Sequence, residues 1–243
     1  MLLAEDRQDL VLVARNKKKL DELARDLTAA FGITARVLAR DLAKPATPGK
    51  IAAELAEAGV EIETLVNNAG FGVYGSFVET DPAKDLEEIQ VNVAAVTHLT
   101  GLFLPAMVQR RRGRILNVAS TAAFQPGPLM AVYYASKAYV LSFSEALANE
   151  LSGSGVTVTA LCPGPTETEF QKRAGLEGTR LFAGPLVSDA RSIARAGYDA
   201  MKRGKTVAIP GLANKILAQS VRFAPRRMVT AIARKIQEKK GGG

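Results

Sequence analysis

Short apolar runs alternate with longer segments of helical hydrophobic spacing along most of the chain. The run Leu10–Ala14, rich in β-forming residues, predicts a buried strand, and Lys17–Ala30, with leucines at helical spacing, predicts a helix. Further strands are predicted at Ile33–Ala39, Ile62–Val66, Gly113–Ala119, Val156–Leu161 and Thr206–Ile209. Further helices are predicted at Lys50–Ala58, Pro82–Arg110, Val132–Leu151 and from a Ser188 cap to Lys202. This alternation indicates an α/β fold with a doubly wound, mainly parallel, Rossmann-like sheet and helices on both faces.

The residues that follow strands are the first candidates for chemistry, because ligands of such sheets bind at the carboxyl ends of the strands. Ser120 ends the Gly113–Ala119 strand, and Asn67–Gly70 follows another strand. Pro163–Thr166 follows a third strand. The small residues in these loops allow a flat ligand to approach the backbone.

Tyr133 and Lys137 lie four residues apart on a predicted helix and therefore share one face. A tyrosine with a pKa near ~10 is a poor acid at neutral pH, and a lysine ammonium one turn away lowers that pKa. This suits proton transfer to a carbonyl oxygen, although the pair alone also fits a solvated helix face. Asn92 allows two interpretations: a helix-interior amide bonded to backbone, or an amide that holds a water near Lys137.

Several motifs, taken in order, resemble the short-chain dehydrogenase/reductase family over residues 1–211. They are NNAG at 67–70, Asn92, Ser120, the YYASK run at 133–137 and PGPTET at 163–168. The resemblance implies that Tyr133 is the general acid/base and that Lys137 lowers its pKa and binds the nicotinamide ribose. It also implies that Ser120 polarises the substrate carbonyl and that Asn92 belongs to a proton relay.

The resemblance further indicates the cofactor. Where an acidic residue would select NAD, the chain has Ala14 followed by Arg15, whose guanidinium can pair bidentately with a 2′-phosphate. We therefore expect NADP(H) rather than NAD(H), the alternative being that Arg15 merely belongs to a solvated helix start. The other implied cofactor contacts are Asp41, Leu42, Asn68, Ala69, Gly70, Tyr133, Lys137, Pro163, Gly164 and Thr166.

The family signature begins with a strand and a glycine-rich turn that hold the cofactor pyrophosphate. This sequence has neither, and Leu2–Glu5 matches the end of the helix that follows the turn. We therefore expect a sheet that lacks its first strand. Two explanations stay open: an incomplete sequence of an active enzyme, or a shortened homologue that acts as a non-catalytic binding or scaffold protein.

The formal net charge of +8 is concentrated near the C-terminus, where residues 222–240 contain seven Lys/Arg and one Glu. This distribution does not favour nucleic-acid binding by the whole domain. Apolar residues about four apart, from Leu217 to Ile236, predict a basic amphipathic helical tail over 212–243. The tail could dock on the domain or on a second subunit, or lie on an anionic membrane surface.

A single cysteine and a single histidine exclude an intrachain disulfide and make a metal site unexpected. Because the single Cys162 cannot form an intrachain disulfide, we expect a cytoplasmic protein. No continuous apolar run reaches the roughly eighteen residues of a membrane span. The family resemblance implies a homodimer or homotetramer formed through the helices Pro82–Arg110 and Val132–Leu151. A loop-like lid over 170–187, together with Phe124, Leu129 and Met130, indicates a hydrophobic carbonyl substrate, such as a 3-oxoacyl or steroid-like compound. The sequence thus predicts an NADP(H)-dependent oxidoreductase.

Overall fold

The computed structural model describes residues 1–182 and 187–239, and the chain divides into two compact units, Met1–Glu61 and Ile62–Gly243. The first unit contains α1 (Leu2–Glu5), β1 (Leu10–Ala14), α2 (Lys17–Phe31), β2 (Ala35–Ala39) and α3 (Thr47–Glu57). Strands β1 and β2 are parallel, and Ala14 lies opposite Ala39 at their carboxyl ends.

Local sequence signals explain the bounds of α2. The side chain of Asn16 accepts a hydrogen bond from the Lys19 N–H (3.1 Å), which satisfies one donor of the first turn. The helix ends at Gly32, whose φ of +66° is a left-handed conformation that glycine adopts without strain. Its apolar face buries Leu27, which joins Ala4 and Ile33 in the core of this unit.

The second unit carries the remaining elements. They are β3 (Thr64–Asn67), α4 (Pro82–Ile89), α5 (Ala95–Gln109), β4 (Gly113–Val118), α6 (Ala131–Glu150), β5 (Val156–Leu161), β6 (Thr166–Glu167), α7 (Glu169–Arg173), β7 (Ser188–Asp189), α8 (Ala190–Lys202), β8 (Val207–Ala208), α9 (Leu212–Ser220) and α10 (Arg226–Gln237). A four-stranded sheet has the order β3-β4-β5-β8, and β6 pairs with β7 in a separate sheet. All of these strand pairs are parallel, as are β1 and β2, which confirms the predicted α/β fold.

Helices cover both faces of the four-stranded sheet. Successive residues of β5 point to opposite sides: Ala160 packs with Val140 of α6, whereas Leu161 lies against Gly197 of α8. A side chain at Gly197 would overlap Leu161, with a Cβ–Cδ2 distance of 2.6 Å, so the glycine lets α8 approach the sheet closely. Strand β5 is therefore buried on both faces, as is usual for parallel sheets.

Two predicted elements differ from the observed ones. Ser188 was expected to cap α8, but it pairs with Thr166 in β7, and the side chain of Asp189 accepts the capping hydrogen bond from the Ser192 N–H (2.9 Å). The predicted lid over 170–187 is not only loop, since it includes α7 and a 3-10 turn at Arg180–Phe182. Residues 183–186 of this lid lie outside the described residues.

The long predicted helix Pro82–Arg110 contains a π-helical turn at Gln90–Ala94 between α4 and α5. By length and composition alone, Pro82–Gln109 is apolar enough to cross a membrane, contrary to the expectation from continuous apolar runs. Core helices of soluble proteins have the same length and composition. Leu99 and Met107 of α5 are indeed buried within the protein.

The predicted division of the tail at Pro225 is observed, with α9 before it and α10 after it. Helix α10 buries Val229, Ala233 and Gln237, and the Tyr74 hydroxyl donates a hydrogen bond to the Gln237 carbonyl (2.9 Å). The described part of the tail therefore docks on the second unit. Residues 240–243 lie outside the described residues.

Candidate active site

The carboxyl ends of β3, β4 and β5 meet at one edge of the sheet. Asn67 lies opposite Asn117, and the Asn67 amide donates a hydrogen bond to Asn117 Oδ1 (2.8 Å). On the other side of β4, the Thr121 N–H donates to the Pro163 carbonyl (2.8 Å), just beyond the ends of both strands. The register thus brings together the three loops that the sequence selects.

Tyr133 and Lys137 occupy the first two turns of α6, as their spacing predicts. Lys137 Nζ lies 5.7 Å from the centre of the Tyr133 ring and donates a hydrogen bond to the Val118 carbonyl (2.8 Å). The lysine is only 5% exposed. Burial lowers the pKa of Lys137 to about 8, and the Glu88 carboxylate opposes this shift. The hydrogen bond to Val118, the last residue of β4, places the ammonium at the carboxyl end of this strand.

The pKa of Tyr133 differs from the sequence-based expectation. Burial raises it above the ordinary value of 10, and a hydrogen bond with the Ser120 side chain opposes that effect. The Tyr133 ring packs beside Phe170 of α7, with ring centres 5.2 Å apart. The effect of burial on the Tyr133 pKa is therefore larger than that of the neighbouring groups, and the phenol is protonated at neutral pH.

Ser120 follows β4 and lies at the start of a 3-10 turn, Thr121–Phe124. Its Oγ accepts a hydrogen bond from the Ala122 N–H (3.1 Å) and is 3.5 Å from the Pro163 carbonyl. These contacts fix the hydroxyl beside Tyr133 at the edge of the sheet.

Asn92 sits in the π-helical turn, a distortion often found at functional positions. Its Nδ2 donates to the Phe71 carbonyl (2.8 Å) and to Ser136 Oγ (3.0 Å), and its Oδ1 accepts from the Phe71 N–H (3.2 Å). The backbone-bonded interpretation of this amide is therefore observed. The side chain connects the loop after β3 to α6.

Gly70 is the point at which Asn92 and Lys137 converge. A Cβ at this position would lie 3.0 Å from Asn92 Oδ1 and 3.3 Å from Lys137 Nζ. The backbone of Asn68, Ala69 and Gly70 is exposed beside these groups. This small, open surface next to a lysine fits a planar ring with a hydroxylated sugar.

The remaining predicted cofactor contacts are distributed between the two units. In the first unit, Arg15 follows β1, and Asp41 and Leu42 lie just beyond β2, at the shared carboxyl edge of these strands. In the second unit, Thr166 Oγ1 donates to the Gly164 carbonyl (2.9 Å). Packing also requires a glycine at position 164, because a Cβ there would lie 2.5 Å from the Asn214 amide.

The apolar surroundings of Tyr133 include Met130, Tyr134 and Leu176, with Phe170 at their border. Phe124, by contrast, packs in another cluster with Val140. Of the apolar residues that the sequence associates with the substrate, Met130 therefore lies in the cluster beside Tyr133, and Phe124 lies in the other cluster.

Sequence reasoning missed Glu88, which is fully buried on α4. Its Oε2 accepts a hydrogen bond from the Val73 N–H (3.0 Å), and its Oε1 lies 3.5 Å from Asn92 Nδ2. Burial raises the pKa of Glu88 to about 7, and the Val73 hydrogen bond opposes that shift. The spacing of four residues before Asn92 was the available signal, since it places both side chains on one face.

The chain matches known proteins over most of its length. A family model described as short chain dehydrogenase matches residues 1–177. The human very-long-chain 3-oxoacyl-CoA reductase is 35% identical over 174 residues, which are 70% of this chain and 55% of that protein. The chain therefore spans about half the length of this relative.

Solved structures show the same likeness. A short-chain dehydrogenase from Sphingobium yanoikuyae in complex with NADPH is 33% identical, with a TM-score of 0.81 over 98% of this chain and 92% of that chain. The bulky-bulky ketone specific alcohol dehydrogenase from Comamonas testosteroni is 29% identical, with a TM-score of 0.76 over 91% of this chain and 85% of that chain.

Proposed function

Because the chain belongs to the short-chain dehydrogenase family, we propose that it is an NADP(H)-dependent oxidoreductase that reduces the carbonyl group of a hydrophobic substrate. The observation that carries the proposal is the meeting of Ser120, Tyr133 and Lys137 at one sheet edge. A group of this kind can bind a carbonyl oxygen and protonate it.

Each residue has a defined part in the proposed reaction. Tyr133, protonated at neutral pH, donates its phenolic proton to the substrate oxygen, while the Ser120 hydroxyl donates a hydrogen bond to the same oxygen. The buried Lys137 ammonium then stabilises the phenolate. When bound, NADPH supplies the hydride that reduces the carbonyl carbon. In the opposite direction the same groups remove the proton of an alcohol.

Apolar surroundings and the relatives both support a hydrophobic substrate. Tyr133 borders a cluster of Met130, Tyr134 and Leu176, which would exclude water from the reacting carbonyl. The human relative acts, by its name, on very-long-chain 3-oxoacyl-CoA, and the Comamonas enzyme on bulky ketones. We therefore propose a 3-oxoacyl compound or a bulky, steroid-like ketone. The test is NADPH oxidation with a 3-oxoacyl-CoA and with a steroid ketone; no oxidation above the substrate-free rate with any carbonyl compound contradicts the proposal.

We propose that Arg15 selects the 2′-phosphate of NADP(H). Arg15→Glu is expected to lower the preference for NADPH over NADH, as a ratio of kcat/KM values, by about ten- to a hundredfold, since a hydrogen bond to a charged group contributes about 1.5–3 kcal/mol. Lys17→Ala is the matched control, because Lys17 lies nearby but pairs with Asp21 (2.8 Å). Equal effects of both substitutions would mean that general positive charge, not Arg15, sets the preference.

We propose that the tail contacts an anionic membrane surface. Exposed apolar side chains lie on α9 and α10 and between them, among them Ile216, Ile232 and Phe223, the last 89% exposed. The described residues 212–237 contain six Lys/Arg and no acid. Apolar area flanked by cations fits an anionic lipid interface.

Sedimentation with vesicles tests this proposal. The protein should sediment with anionic vesicles at low salt but not with zwitterionic ones. Ile216→Ser combined with Phe223→Ser should weaken binding at least about tenfold, because each loses roughly 1–2 kcal/mol of apolar burial. Val78→Ser removes an apolar side chain outside the tail that is as exposed as Phe223, at 89%, and should bind as the unchanged protein does. A protein that stays in solution with anionic vesicles would contradict membrane contact.

We further propose a cytoplasmic homodimer or homotetramer. Leu86, Ile89 and Leu102 on α4 and α5, and Tyr139 on α6, leave apolar area exposed on the helices predicted to associate. Burying this area between subunits would be favourable. Light scattering of the purified protein measures the oligomeric state directly.

A further inference from the structure

Glu88 and Cys162 are buried ionisable groups beside Lys137 that have no role in the proposed reaction. Burial raises the pKa of the Cys162 thiol to about 12, so this thiol is neutral near pH 7. Glu88 has no exposed surface, and its carboxyl is held by the Val73 N–H. A buried carboxylate is costly unless a positive charge or hydrogen bonds compensate it. The surroundings of Glu88 therefore decide whether it carries a charge.

Lys137 is the cation that faces Glu88 from another element. Asn92 Nδ2 lies 3.5 Å from the Glu88 carboxyl, and Asn92 Oδ1 and Lys137 Nζ both border Gly70, at 3.0 and 3.3 Å from the position that a Cβ there would occupy. Burial raises the pKa of Glu88 to about 7, and the Lys137 ammonium opposes that rise. Burial lowers the pKa of Lys137 to about 8, and the Glu88 carboxylate opposes that fall. Each group thus favours the charged form of the other.

The remaining charged neighbours of Glu88 are few among the described residues. Asp85, one turn earlier on α4, raises the pKa of Glu88 and accepts a hydrogen bond from Thr80 Oγ1 (2.8 Å). The Glu88 carboxylate also raises the pKa of the Tyr133 phenol on α6. Lys84 and Glu87, on the outer face of α4, pair with each other (2.8 Å).

We propose that Glu88 is a positioning residue that acts through Lys137: its carboxylate keeps the buried lysine protonated, so that the ammonium can stabilise the Tyr133 phenolate. This inference rests on the proposed function. Both groups are charged in a narrow window, above the Glu88 pKa of about 7 and below the Lys137 pKa of about 8. Because the lysine is protonated at any pH below its pKa, turnover should hold below about pH 8 and fall above it.

Glu88→Gln tests the proposal, because the amide oxygen can still accept the Val73 hydrogen bond while the charge is lost. An opposite charge shifts a neighbouring pKa by about one to three units, so at pH 8 the variant should lose at least about fivefold in kcat. The fall in turnover on the alkaline side should begin at lower pH than in the unchanged protein. Glu87→Gln is the matched control on the same helix and should keep the original pH profile.

A second readout does not need activity. In protein with carbon-13-labelled lysine, the pKa of Lys137 can be followed by NMR, the signal being assigned with Lys137→Arg. It should lie lower in Glu88→Gln than in the unchanged protein. If the Lys137 pKa is lower in Glu88→Gln while the unchanged protein reduces no carbonyl compound, the proposed function is contradicted, but the electrostatic interaction between Glu88 and Lys137 is supported. An unchanged Lys137 pKa, or a uniformly lower rate with the original pH profile, would overturn the inference.

Discussion

Replacing Tyr133 with phenylalanine is expected to lower the turnover of a carbonyl substrate by roughly a hundred- to ten-thousandfold, the range in which a positioned acid contributes to catalysis. The ring itself remains, so its packing beside Phe170 and Tyr134 is preserved. NADPH affinity should therefore stay close to that of the unchanged protein. Steady-state kinetics measures the first effect, and the NADPH-induced rise in the thermal unfolding midpoint measures the second.

Tyr134→Phe is the matched control for this experiment. Tyr134 is also buried in the same apolar cluster, and burial raises its pKa to about 12, yet it has no lysine four residues later. Turnover by this variant should stay near that of the unchanged protein. Activity that survives Tyr133→Phe but is lost in Tyr134→Phe would mean that Tyr134, not Tyr133, is the acid. Activity that survives both substitutions would contradict proton donation by either tyrosine.

The sheet and the loops at its edge could be predicted because they depend on local signals. Buried parallel strands are continuous apolar runs. Strands β1 and β5 have the bounds that such runs predict, but only β5 is buried, whereas β1 is half-buried with Ala14 exposed. The parallel order of strands then requires their carboxyl ends to meet, which places Asn68, Ser120 and Pro163 together. No knowledge of side-chain packing was needed for this step.

Burial and long-range contacts could not be predicted in the same way. The spacing of Tyr133 and Lys137 predicted a lowered tyrosine pKa, but burial dominates and raises it. The sequence allowed two interpretations of the Asn92 amide, and only the structure shows its hydrogen bonds with the Phe71 backbone. In each case the outcome depends on how much water is excluded, which follows from tertiary packing.

The tail illustrates the same limit. Its periodicity predicted an amphipathic helix, but not which residues it meets. Tyr74 and Gln237 are 163 positions apart, and their hydrogen bond follows from the fold of the whole second unit. Glu88 likewise reads, in sequence, as one of two consecutive acids on a helix. Only packing shows that Glu88 faces inward and Glu87 outward.

The inward position of Glu88 should also make the stability of the protein depend on pH. Burial raises its pKa from 4.5 to about 7, so between these values the folded protein holds a proton that the unfolded chain has released. Stability is then lost as pH rises from about 4.5 to about 7, and none of this loss occurs below 4.5. At 1.36 kcal/mol per pKa unit, the loss is about 3 kcal/mol.

Glu88→Gln removes this loss, because glutamine does not titrate. The free energy of unfolding in urea, measured at pH 5, 6 and 7, should therefore increase in the variant relative to the unchanged protein, by about 3 kcal/mol across the full window. The comparison ends at pH 7, since Lys137 begins to titrate above it. Glu87→Gln removes the same charge from the exposed face of α4 and should run parallel to the unchanged protein. If Glu88→Gln also runs parallel, burial does not raise the pKa of the Glu88 carboxyl in the folded state.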